Sequence, residues 1–141
     1  MIRGSPAQVL HRVLIQHESD VVVARHVARD VMARHGFRDL AAESVAIAVT
    51  EIARNIVVHA GRGEISFGIV ADPPGMVVVA TDEGPGIPHL ACAMQDGFST
   101  SGGLGFGLAG AQRLMDEFEI ESQTGSGTTI IMKKWSRDDK C

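Results

Sequence analysis

The chain has 141 residues, enough for one domain that buries roughly 68–70% of its unfolded surface and folds without disulfides or a structural metal. Its 13 Lys and Arg against 17 Asp and Glu leave a net charge of −4, which argues against a nucleic-acid binder that relies on bulk electrostatics. With 21% charged and 45% apolar residues it is not a disordered chain, and 16 glycines beside 4% aromatics and no tyrosine imply an aliphatic core.

In chain order, Val9–Gln16 mixes β-branched and polar residues and reads as a first strand. Ser19 or Asp20 then offers an N-cap to a helix over Val21–His35, whose Val23, Val27, Val31 and Met32 recur at helical spacing. Gly36 is its stop signal. A second helix is predicted over Leu40–Ala60, so rich in Ala, Ile and Val that it should be central and buried; Gly61-Arg62-Gly63 ends it. Glu64–Ala71 and Met76–Asp82 read as strands joined by the turn Asp72-Pro73-Pro74-Gly75. Glu83–Phe98 reads as loop, with room for a short helix over Leu90–Met94, and Ser99–Gly105 is rich in glycine and hydroxyls. A third helix over Phe106–Asp116 and a hairpin of Phe118–Gln123 with Thr128–Trp135 complete the pattern; Ser136–Cys141 should fray. This order of elements predicts a single α+β domain: a two-layer sandwich with three helices packed on one face of a mostly antiparallel sheet.

Two cysteines, Cys92 and Cys141, with no CxxC pair suggest a reduced, cytoplasmic protein. The start, MIRGSPAQVL, lacks a signal-peptide core, and no apolar run approaches the ~20 residues of a membrane span.

Four local patterns carry chemistry. Glu51, Asn55 and His59 stand at i, i+4 and i+8, along one face of the second predicted helix. Asp82-Glu83-Gly84-Pro85-Gly86-Ile87 follows a valine-rich strand, and its glycines let backbone approach a flat ligand. Gly102-Gly103-Leu104-Gly105-Phe106-Gly107-Leu108 opens a helix, where backbone N–H groups suit a phosphate chain. Gly125-Ser126-Gly127-Thr128-Thr129 opens the last strand. Each alone has a plainer explanation: an exposed helix stripe, a β-turn, a glycine-rich loop, a hairpin turn. Gly105–Gly110 also fits GxGxxG, but that fingerprint needs a strand just before it and a βαβ unit around it, which this order of elements does not provide. No GxxxxGK[ST] sequence occurs.

In this order and spacing the four patterns resemble the nucleotide-binding boxes of the GHKL superfamily of ATPases and kinases, with the Bergerat-type fold. Within it, Asp96–Gly105, Arg113–Phe118 and the Lys134-Trp135 ending make the chain similar to the anti-sigma-factor serine kinases, above all the RsbT-type switch kinases of the stressosome. The resemblance implies ATP or ADP and Mg²⁺ as cofactors. It implies Asn55 as the Mg²⁺ ligand and Glu51 as the general base or the group that positions it. Asp82 and Thr128 would lie at adenine, and Gly84, Gly86 and Ile87 would let the ring lie flat. Gly102, Gly103, Leu104, Gly105, Phe106 and Gly107 would form the phosphate loop, with Ile87–Ser101 as a short lid. Ser99, Thr100 and Ser101 are phosphate contacts or lid hinges, and His59 has no assigned role. The sequence offers adenine no tyrosine to stack on, so recognition would fall to Asp82, Thr128 and aliphatic walls.

The partners so implied are a STAS-domain antagonist, which receives the phosphoryl group, and the regulatory region of a PP2C-type phosphatase. The same boxes would also serve an anti-sigma factor that holds a sigma factor directly, or a non-enzymatic module that keeps nucleotide as a structural ligand. The intact Glu51, Asn55 and Asp82 argue against the last. No nucleic acid or membrane partner is expected, and the oligomeric state is left between a monomer and a weak homodimer.

Overall fold

The computed structural model describes residues 8–71, 74–86 and 107–136. Strand β1 (Gln8–Ile15) leads into helix α1 (Glu18–Arg34) and helix α2 (Asp39–Asn55), which is extended by a π-helical turn over Ile56–Ala60. Strands β2 (Gly63–Ala71) and β3 (Pro74–Asp82) follow, then helix α3 (Gly107–Leu114) and strands β4 (Glu117–Gln123) and β5 (Gly127–Trp135). The strands form one sheet in the order β1-β2-β3-β5-β4, with every neighbouring pair antiparallel. The expected α+β sandwich is therefore the observed fold.

Helix α2 packs against both α1 and α3. Its second half is buried almost all round, from Val45 through Ala53, so a largely aliphatic sequence interrupted by few polar residues becomes the middle helix. Small residues such as Ala24, Ala28, Ala48 and Ala53 fill the helix contacts, and Ile15, Met32, Ile52, Phe67, Met76 and Met132 supply the bulk of the core. Cross-strand register sorts the sheet face beneath the helices into rows. One row, Val13–Ile65–Ala80–Ile130–Ile120, is wholly apolar. The next runs Ile15–Gly63–Asp82–Thr128–Ser122 and turns polar towards β4.

Several element ends shift by a residue or two from the sequence reading, the third helix stopping at Leu114 rather than Asp116, and three differences have a clear physical cause. Helix α1 starts at Glu18 with His17 as its N-cap, not at Ser19 or Asp20. Asp20 lies inside the first turn, and its carboxylate accepts the backbone N–H groups of Gln16 (2.8 Å) and His17 (2.9 Å). Those two bonds hold its carboxyl below the usual aspartate range. Pro74 and Gly75 belong to β3 rather than to a turn, because Trp135 of β5 pairs opposite Gly75 and its ring lies where a side chain at 75 would go. The predicted single helix Leu40–Ala60 is α-helical only to Asn55. A hydrogen bond from Gly61 N–H to Ile56 C=O (2.8 Å) widens the last turn, and Gly61 closes it in the left-handed region.

Candidate nucleotide site at one end of the sheet

The C-terminal end of α2 and the C-terminal end of β3 meet at one edge of the sandwich. Glycines make the approach possible. A Cβ at Gly84 would stand 2.5 Å from the Ala60 Cβ, and one at Gly63 would stand 2.9 Å from Ile56 Cγ2 and 3.1 Å from the Asp82 Cβ. The loop after β3 is held from the other side by the β4–β5 turn. The Gly125 N–H donates to the Pro85 carbonyl at 2.8 Å. Gly86 and Gly127 have φ of +84° and +96°, and a Cβ there would collide with the backbone carbonyls of Gln123 and Asp82 respectively. A cleft of about 560 Å³ lies beside this sheet end, but its lining of Leu14, Ala60, Glu64, Thr81, Asp82 and Glu83 takes in the exposed sheet face and leaves out Glu51, Asn55 and Thr128.

Among the described residues the buried polar or charged side chains are Thr50, Glu51 and Thr128. Two of them are satisfied. The Thr50 hydroxyl donates to the Ala46 carbonyl at 2.8 Å. Thr128, 5% exposed, shares a 2.8 Å hydrogen bond with the Ser122 hydroxyl across β4 and β5. Glu51 is also 5% exposed, yet its Oε2 has no hydrogen-bond partner among the described residues. A buried acceptor left unmade costs about 1–3 kcal/mol, more when it is charged, so such a group needs a reason to persist.

One turn on, Asn55 is the last α-helical residue and is half-buried. His59 does not continue the stripe of Glu51 and Asn55: it lies in the wider π turn and is exposed. Asp82 ends β3, and its Oδ1 accepts the Gly84 N–H at 2.9 Å. Being opposite Thr128 in register, it shares that residue's face of the sheet. Gly107, half-buried, starts α3 against α2. The structure thus gathers Asp82, Gly84, Gly86 and Thr128 at the sheet end that the Glu51–Asn55 end of α2 also reaches. Ile87, Gly102, Gly103, Leu104, Gly105 and Phe106 lie outside the described residues, as do Ser99, Thr100 and Ser101. Ser122 and Gly63 were missed by sequence reasoning. The hairpin turn signal could have paired Ser122 with Thr128; nothing local marks Gly63 as more than a helix stop.

Residues 16–134 match the family of histidine kinase-like ATPase domains. The chain belongs to that family, within the GHKL superfamily. This histidine kinase-like ATPase domain is 47% identical over 127 residues to "Serine/threonine-protein kinase RsbT" of Bacillus subtilis, covering 89% of this chain and 96% of the relative. It is 35% identical over 104 residues to "Anti-sigma F factor" of a Thermoanaerobacter species, covering 68% and 71%. Among solved structures, the RsbU and RsbW domains of the Mycobacterium tuberculosis protein Rv1364c superimpose with a TM-score of 0.67 at 20% identity. That likeness shows the fold alone and covers 94% of this chain but 34% of the other. No helix among the described residues is long and apolar enough to cross a membrane.

Proposed function

We propose that the chain is a Mg·ATP-dependent protein serine/threonine kinase. Its acceptor is a STAS-domain antagonist, and after transfer the kinase engages the regulatory region of a PP2C-type phosphatase. The observation that carries the reading is the buried oxygen of Glu51 that has no partner among the described residues, on the helix that ends at Asn55 and beside the sheet end that holds Asp82. The likeness to a serine/threonine-protein kinase along nearly its full length supports the choice of reaction.

The residues present fit a nucleotide that brings its own metal. Among the described residues no group of three or more His, Cys, Asp or Glu could hold a metal ion. Mg²⁺ keeps several waters and is commonly held by one or two protein groups plus phosphate, so Asn55 as its protein ligand fits Mg·ATP and not a protein-only metal cage. When bound, Mg·ATP supplies the phosphoryl group and the cationic charge that offsets the phosphates. Asp82, acceptor-only, takes an N–H from the exocyclic amine of the base. Gly84 and Gly86 leave a flat ring room, Ile87 follows them in the chain as the family's pattern has it, and Thr128 faces the same ring. Backbone N–H groups from Gly102 to Gly107, Leu104 and Phe106 included, would cradle the phosphates, which suits a chain of net charge −4. Glu51 takes the proton of the acceptor hydroxyl as its oxygen bonds to the γ-phosphorus and the bond to the bridging oxygen breaks, releasing ADP.

A second reading is favoured by the anti-sigma F relatives: the chain holds a sigma factor directly. One experiment separates the two. The chain is incubated in native cell extract with labelled ATP and Mg²⁺, and co-purifying proteins are mapped for phosphosites. The kinase reading expects label on a serine or threonine of a STAS-domain protein, lost with Asn55→Ala. A sigma factor that co-purifies without any labelled protein supports the second reading instead.

A further inference from the structure

We propose that Arg54 is a further catalytic residue of the phosphotransfer: its guanidinium exchanges Glu18 for the terminal phosphate of a bound triphosphate, so that it acts on a triphosphate and not on a diphosphate. The inference rests on the nucleotide reading above.

The last turns of α2 carry two side chains of opposite charge, Glu51 and Arg54. Opposite charges three residues apart on a helix ordinarily meet. Here Glu51 Oε2 has no partner among the described residues, and Arg54 turns instead to α1, its Nε 3.5 Å from Glu18 Oε2. That contact is longer than the roughly 2.7–2.9 Å of a charge-assisted hydrogen bond. A second ion pair between the same two helices shows what a satisfied guanidinium looks like. Arg29 donates to both oxygens of Glu43, from Nε at 3.1 Å and from Nη2 at 2.9 Å. Yet the Arg29 side chain is 41% exposed and the Arg54 side chain only 23%. The more buried arginine holds its partner more loosely, which leaves most of its planar fork of donors unspent.

Helix geometry says what that fork can reach. At 3.6 residues per turn Arg54 lies about 60° to one side of Glu51 and Asn55 about 40° to the other, both nearer the helix end. A group that meets both Glu51 and Asn55 is therefore within range of a long side chain at position 54. In the nucleotide reading that group is the terminal phosphate. Arg62 also stands near this sheet end, but it is exposed and lines the cleft that takes in the exposed sheet face. Glu18 can release Arg54 easily. It is 65% exposed, so water replaces the guanidinium, and it sits in the first turn of α1, whose positive end favours a carboxylate. An exposed ion pair contributes little, whereas a forked arginine–phosphate contact is among the strong ones. Arg54 stays protonated throughout. It gives N–H bonds to the phosphate oxygens while the bond to the bridging oxygen breaks and ADP leaves.

The test uses the full chain with ADP and with AMPPNP, a triphosphate analogue that resists transfer, each with Mg²⁺. In calorimetry Arg54→Ala should weaken AMPPNP about tenfold and leave ADP within about twofold. Glu18→Gln removes the competing charge and should tighten AMPPNP about two- to threefold with ADP unchanged. In the Arg54→Ala chain the same Glu18→Gln change should do nothing, a coupling that a merely structural arginine would not produce. Should Arg54→Ala fail to fold, Arg54→Lys keeps the charge without the fork and should weaken AMPPNP about three- to fivefold at unchanged ADP affinity. Equal weakening of both nucleotides, or no change in either, overturns the role of Arg54. So does an Arg54→Ala chain whose nucleotide affinities hold while its KM for the acceptor protein rises, which would put Arg54 at the partner instead. A Glu18→Gln effect that persists without Arg54 overturns the exchange. No ADP binding by the unaltered chain overturns the nucleotide reading and this inference with it.

Discussion

The two ends of β3, a nine-residue strand, lie roughly 27 Å apart and treat their polar groups in opposite ways. At the Pro74 end, the Trp135 N–H donates to Asp116 Oδ2 (2.8 Å), Lys134 Nζ to the Leu114 carbonyl (2.9 Å) and the Ser136 N–H to the Pro74 carbonyl (2.9 Å). The Lys134 ammonium also stands 3.9 Å from the Asp116 carboxylate. These groups close on one another, and they do so around the larger of the two clefts, about 760 Å³ beside Phe37, Leu40, Asp116, Lys134 and Trp135. At the Asp82 end a smaller cleft opens partly on the exposed sheet face, and α2 reaches the same sheet end with a buried carboxylate oxygen lacking any donor among the described residues. Of these two clefts, size favours the Pro74 end. Unspent hydrogen-bonding capacity points to the other, because a buried polar atom without a partner is a standing cost that a ligand can remove.

That contrast can be broken by substitution. The largest effect should come from Glu51→Ala, which should lower phosphotransfer by about 10²–10⁴-fold while ADP still binds. Loss of ADP binding, read by calorimetry, would make Glu51 structural. Asp82→Ala should weaken ADP by about 10- to 100-fold through the lost charged acceptor, with the unfolding midpoint little moved; unchanged ADP affinity would contradict the adenine role. The mirror experiment at the far end is Asp116→Ala. It strands the Trp135 N–H and should cost about 1–2 kcal/mol in urea unfolding with phosphotransfer intact. Lost activity in a folded Asp116→Ala chain would end the division of labour between the two ends.

The smallest effect belongs to pH. Asp20 is held below the usual carboxylate range by the Gln16 and His17 N–H groups, and Glu43 by the Arg29 guanidinium that donates to both its oxygens. A lowered folded value means their stabilisation is present above the unfolded carboxylate range and fades as pH falls from about 4 through the folded values. Glu43 is solvent-exposed and Asp20 partly so, and Asp20→Asn should flatten only the acid limb of the stability profile. A change at neutral pH in how steeply stability varies with pH would contradict that linkage.

Much of the site was legible because its residues are chemically conspicuous in their local setting. Glu51 and Asn55 interrupt an aliphatic helix, and Asp82 follows a run of valines into a glycine-rich loop. The helix end was not legible. Periodicity carried Ala60 into the same helix as Asn55, whereas the π turn depends on where β2 and the Gly84 loop pack against Ile56 and Ala60. His59 left the predicted stripe for that reason.

The amino-acid sequence by itself determined most of the helix and strand segments, that α2 would be buried, and which side chains are the candidates for chemistry. Those follow from periodicity, turn residues and the cost of burying charge, all of which act over a few residues. Only the tertiary structure decided that Asp82 stands opposite Thr128 and Thr128 opposite Ser122. It also decided that Gly63 and Gly84 must be glycine because Ile56 and Ala60 press on them. The β3–β5 pairing joins strands that have at least α3 and β4 between them in the chain. Its register is set by matching apolar rows such as Ala80–Ile130 under the helices, a choice no short stretch of sequence contains.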